Sequence, residues 1–132
     1  MATGRRDYTW GFLNEAAVEG RYTQSFIVHT PLVLAANTLA DIYLYTVPAG
    51  YRLAINLIGI STNSRVVNTL HVLVATVSKT VSYFSDNYNL LFSDQNPLYI
   101  TAGQILNIKV KNSDEATYTF YVHVVGALEQ LT

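Results

Sequence analysis

Cysteine is absent from this chain, and its absence removes two kinds of chemistry at once. There can be no disulfide framework and no thiolate metal site; the redox compartment is left open. Charge is also scarce: Asp, Glu, Lys and Arg make up 13% of the residues, against ~25% in an ordinary soluble domain. With a net charge of -1, the overall balance offers no strong attraction to nucleic acid or to an anionic membrane. Apolar runs fall far short of the ~18 residues of a spanning helix. Arg5 and Arg6 near the N-terminus are followed by no apolar segment, so no secretory signal is read there. Two basic residues are too few for a nucleic-acid tail. The expectation is a soluble protein, cytosolic or carried outside as part of an assembly.

Catalytic motifs are missing as well. His29, His71 and His123 are far apart in sequence, with no His-x-His and no His-Glu-x-x-His. The paired histidines and following glutamate of a cupin-type metalloenzyme are not found. His71 and His123 both fall on expected strands and could converge, but they are read as surface or subunit-contact residues rather than metal ligands. Asp86 and Asp94 flank one segment, and Asp114 and Glu115 fall in a tight turn; these are solvated turn acids, not a hydrolytic pair. No Gly-x-Ser-x-Gly elbow and no Gly-rich phosphate loop occurs. Neither an enzymatic activity nor a cofactor is expected.

What the chain does contain is apolar residues: 50% of 132 positions are hydrophobic. A chain of this length forms one domain and buries roughly two-thirds of its extended surface. So lightly charged a domain either has a neutral coat of Ser, Thr, Asn and Tyr or has part of its surface covered by other subunits. Coverage by other subunits is the expectation carried forward.

Ala-Gly occurs in two matching contexts, VPAGYRLAINL at 47–57 and ITAGQILNIKV at 100–110. After each glycine, aliphatic residues stand at the third, fifth and seventh positions: Leu53, Ile55, Leu57 and Leu106, Ile108, Val110. That period of two marks a strand with one buried face. Tyr118, Phe120, Val122 and Val124 form a similar row near the C-terminus. Strands are expected at Thr23–Val28 (with a break at Pro31), Leu39–Val47, Tyr51–Thr62, Asn68–Ser78, Thr80–Phe84, Pro97–Thr101, Gln104–Lys111 and Thr117–Leu128. About eight strands without a helical period predict a jelly-roll-like antiparallel β-sandwich; an immunoglobulin-like sandwich is the competitor.

Residues 1–20 fit the strand pattern least and are read as an N-terminal arm preceding a sandwich domain at 21–132. The arm carries Tyr8, Trp10, Phe12 and Leu13, the candidate contacts to a neighbouring chain or to the domain itself. Residues 83–99 combine aromatic and polar side chains, with Ser85–Asn96 expected as a loop. Tyr83, Asp86, Asn87, Tyr88, Asn89, Phe92 and Asp94 are its candidate recognition residues. Rings beside amides and carboxylates suit a sugar or a protein surface; the same rings can also fold back onto the sandwich.

The runs LYTVPAGYRLAINLIGIST, PLYITAGQILNIKV and TYTFYVHVVGALE together resemble small β-sandwich structural proteins of tailed-phage and related virions. The resemblance spans roughly residues 40–128 and leaves the arm unmatched. It implies a virion component such as a head decoration protein, a fibre or a tail module, assembled in the host cytoplasm. It further implies a homo-oligomer, a trimer above all, with a major capsid or other virion protein as partner. The matching positions are core and turn positions, so no functional residue is carried over. The expected function is a non-enzymatic capsid decoration or stabilising protein, acting through oligomerisation and arm docking. The alternative is a glycan- or receptor-binding tail or fibre module using residues 83–99.

Overall fold

A computed structural model describes residues 22–131. They form nine strands and no helix: β1 (Tyr22–Leu34), β2 (Thr38–Thr46), β3 (Tyr51–Thr62), β4 (Asn68–Val74), β5 (Val77–Phe84), β6 (Asn87–Leu91), β7 (Leu98–Ile100), β8 (Ile105–Asn112) and β9 (Tyr118–Gln130). One sheet has the order β1-β9-β3-β6, with β7 also paired to β3; the other has the order β2-β8-β4-β5. The antiparallel pairing is nested: β1 with β9, β2 with β8, β3 with β6 and β7, β4 with β5. A long hairpin rolled over on itself produces this order, the jelly roll. The expected sandwich is therefore present, with nine strands because β6 and β7 divide one place beside β3.

Alternation builds the core. Leu106, Ile108 and Val110 from β8 and Phe120, Val122 and Val124 from β9 are fully buried, as their spacing predicts. Ring contacts join the two sheets: Phe84 of β5 meets Phe120 of β9 edge-on at 6.3 Å, and Phe26 of β1 meets Tyr45 of β2 at 4.8 Å.

Four local expectations change. Leu57 does not share the buried face of Leu53 and Ile55, because the register shifts between Ile55 and Leu57. Asn56 is the extra residue, its carbonyl accepting from the Phe92 N–H at 2.8 Å. One inserted residue reverses the phase, so Ile58 and Ile60 fill the core and Leu57 faces out. Pro31 does not end β1, which is an edge strand where a missing N–H is tolerated. The β4–β5 turn falls at Ala75-Thr76, earlier than expected, with φ of 51° and 68°. Two positive values make a tight hairpin that usually uses Asn and Gly, so this sequence gave no turn signal there. Finally, Ser85–Asn96 is not one loop, because β6 lies within it and pairs with β3.

The two ends of the sandwich close differently. At one end Gly50 and Gly103 adopt φ of 84° and 83°, the left-handed turns that Ala-Gly marks. The two turns also touch: Val47 donates to the Gln104 carbonyl at 3.0 Å and accepts from the Gly103 N–H at 2.8 Å. At the opposite end a buried polar network ties the loops together. The Asn112 amide donates to the carbonyls of Leu34, Ala35 and Ala116, and its Oδ1 accepts from the Asp114 N–H. Asn68 Oδ1 accepts from the Ser113 N–H, and its amide donates to Ser64 Oγ. Ser64 Oγ in turn donates to Asp114 Oδ2 at 3.0 Å.

Candidate functional site

The sequence-predicted site residues fall into two groups. Tyr8, Trp10, Phe12 and Leu13 lie outside the described residues. The seven candidates of the 83–99 segment do not form one surface. Tyr83 is 72% exposed and stands on the outside of the four-stranded sheet, opposite Thr69. Tyr88 and Phe92 turn inward and pack against the core. A strand that alternates faces divides such residues by its pleat, which a loop does not. Asn87 and Asn89 face the other way, out from the five-stranded sheet, opposite Ser61 and Gly59. Asp94 accepts a long hydrogen bond from the Asn56 amide, 3.3 Å. Asp86, at φ 74°, lines an open cleft of about 410 Å³ with Asn63, Arg65 and Ser85. The stacked ring beside Asn87 or Asp94 that a sugar site requires is not formed by Tyr88 or Phe92.

The histidines are also redistributed. His71 and His123 do not converge, because they belong to different sheets. His29 and His123 stand directly opposite one another on β1 and β9, ring centroids 6.1 Å apart and edge to face. The His123 ring extends across Gly59 toward Asn89, occupying the space a Cβ at position 59 would need. Glycine at that position leaves room for the ring there. Among the described residues, no three His, Asp or Glu side chains gather closely enough to hold a metal ion.

These residues belong to the outer face of the five-stranded sheet, which is ordered in rows. Ile27, Val125, Leu57 and Leu91 are in register across β1, β9, β3 and β6. Ile27 is 71% exposed and Leu91 73% exposed, so the row is an apolar stripe with protruding ends. His29, His123, Gly59 and Asn89 form the next row, and Pro31, Tyr121, Ser61 and Asn87 the one after. On the other side of the apolar row lie Ser25, Ala127, Ala54 and Tyr99. The only charged residues in all five strands are Arg52 and Glu129 at one end. Arg52 Nε and Nη2 both donate to Glu129 Oε1, at 2.9 and 2.6 Å, and the guanidinium sits 4.2 Å from the Tyr99 ring centre. Ion pairing and cation–π contact tie Arg52 to Glu129 and to the Tyr99 ring.

The four-stranded sheet differs in charge. Asp41, Lys79, Lys109 and Lys111 lie on its strands, with Lys109 3.5 Å from Asp41. Leu44 and Leu73 flank Asn107, whose buried Oδ1 has no partner. Burial, and then the charge of Lys109, hold His71 below the usual imidazole range. Burial, and then Tyr45, push the Tyr43 hydroxyl up.

No family model matches the chain, and no curated protein matches it. Among solved structures, the crystal structure of PirA is 11% identical and matches with a TM-score of 0.54, over 73% of this chain and 92% of that one. The dimeric latent PorU of Porphyromonas gingivalis is 9% identical with a TM-score of 0.49, over 81% of this chain but only 13% of PorU. The acid-stable capsid of Helicobacter pylori bacteriophage KHP30 is 10% identical with a TM-score of 0.44, over 83% of this chain and 99% of that one. At these identities the likeness is one of fold and assigns no activity.

Proposed function

We propose that this protein is a non-enzymatic structural component of a virion, a capsid decoration or stabilising protein that works by assembling with copies of itself. The observation that carries this is the Ile27–Val125–Leu57–Leu91 row, an apolar stripe across four strands with exposed ends and a half-buried middle, on a face whose strands carry only the paired Arg52 and Glu129 as charges. Apolar patches of this kind on folded domains mark contact surfaces. Burial contributes ~25 cal/mol per Å² before ordering costs, and repeated copies add avidity. The likeness of residues 40–128 to virion sandwich proteins supplies the setting, with a capsid or other virion protein as the further partner. The alternative, a glycan- or receptor-binding tail or fibre module, calls for Tyr88 or Phe92 exposed beside Asn87 or Asp94, and both rings pack against the core.

The mass of the full chain in solution tests this. A stable oligomer is the expected result, and a well-behaved monomer at high concentration overturns it. Deleting residues 1–20 is expected to leave a folded sandwich that assembles more weakly; undiminished assembly removes the arm from the mechanism.

A further inference from the structure

We infer that the outer face of the five-stranded sheet receives a second copy of this chain, and that His29 and His123 make the contact releasable by acid. This rests on the assembly proposed above and names the surface and its control.

Charge selects a second copy as the occupant. Two such faces can meet without opposing like charges, because Arg52 and Glu129 lie at one end and satisfy each other. The four-stranded sheet set against itself brings Lys109 and Lys111 toward their own counterparts, with Asp41 as the only acid on its strands. Size agrees. Four strands at ~4.8 Å by about eleven residues at ~3.3 Å give roughly 700 Å² in projection, near the ~800 Å² each partner gives to a standard interface. Leu91 and Ile27 are the protruding anchors of such a contact.

The histidine row gives the contact its pH response. His29 and His123 lie beside the apolar row, and among the described residues neither side chain is paired with a carboxylate. On β1 the other titratable residue is Tyr22, paired with Gln130 at the sheet end; on β9 they are Tyr118, Tyr121 in the adjoining row, and Glu129; on β3, Tyr51 and Arg52; on β6, Tyr88, which packs inward; and on β7, Tyr99. Covering the face removes water from both rings, which disfavours their charged forms. The separated copies then bind protons more readily than the assembled ones, so assembly is lost as pH falls through the range where imidazoles take up protons.

Sedimentation of the full chain at about pH 7.5 and about pH 5 provides the test. The expected result is an oligomer at the higher pH and a dissociation constant at least ~tenfold larger at the lower. Leu91→Lys, with Ile27→Lys as the independent variant, is expected to be monomeric and folded. Val81→Lys, on the other sheet, is expected to assemble as the parent does. The double variant His29→Gln/His123→Gln is expected to assemble equally at both pH values. Wild-type assembly that survives both lysine variants, or that is abolished by Val81→Lys alone, overturns the choice of face while leaving the proposed function standing. Assembly equally tight at both pH values overturns the acid release. A wild-type monomer at high concentration overturns the proposed function itself.

Discussion

The imidazole of His123 lies where a Cβ on Gly59 would be, whereas a Cβ on Gly126 would overlap the backbone carbonyl of Ala54. The two glycines therefore differ in what they tolerate. At Gly59 the obstacle is the tip of a side chain that can rotate away. Gly59→Ala is expected to cost less than ~1 kcal/mol while displacing the His123 ring, seen as altered imidazole resonances in NMR. At Gly126 the obstacle is the neighbouring strand, so Gly126→Ala is expected to cost about 2–3 kcal/mol in urea unfolding. Equal costs at the two positions would contradict this contrast.

Ala75 and Thr76 hold φ of 51° and 68° without being glycine or asparagine. A β-branched residue at positive φ is strained. Replacing the pair by Asn-Gly supplies the residues that this two-residue hairpin prefers. Ala75→Asn/Thr76→Gly is expected to raise stability by about 1–2 kcal/mol, read from the urea midpoint. An unchanged or lowered midpoint would show that the turn is not strained.

Asn112 is fully buried and serves four backbone groups through its amide and Oδ1. Alanine leaves those groups without partners and without water. Asn112→Ala is expected to cost about 3 kcal/mol. Asn112→Asp is expected to be no better, because a carboxylate cannot donate to the carbonyls of Leu34, Ala35 and Ala116. Near-wild-type unfolding of either variant would remove the network from the account of stability.

His71 has its affinity for a proton lowered by burial and then by Lys109. The unfolded chain binds that proton more readily, so the histidine's contribution is present in full above ~6.5 and is lost as pH falls below it. Partial exposure keeps the effect near ~0.5 kcal/mol or less. Comparing wild type with His71→Gln in urea at about pH 7.5 and about pH 5 isolates it. Wild type is expected to lose slightly more stability on acidification. An equal or smaller loss in wild type would reverse the sign.

The sequence by itself determined the all-β class, the two Ala-Gly turns and the buried rows of β8 and β9. Those features are local: a period of two and a glycine at positive φ are written in consecutive residues. Only the tertiary structure decided the phase of β3 after Asn56, because the bulge is stabilised by Phe92, far along the chain. It also decided that Tyr88 and Phe92 face the core while Asn89 joins His29, His123 and Gly59 in one row. Sequence spacing carries no record of which strands become neighbours; nested pairing brings β1, β9, β3 and β6 together from across the chain. The same nesting separates the charges, leaving one sheet almost uncharged and the other rich in lysine. The 13% charged content raised the expectation of a covered surface, and strand order alone places Ile27, Val125, Leu57 and Leu91 side by side on the face proposed for it.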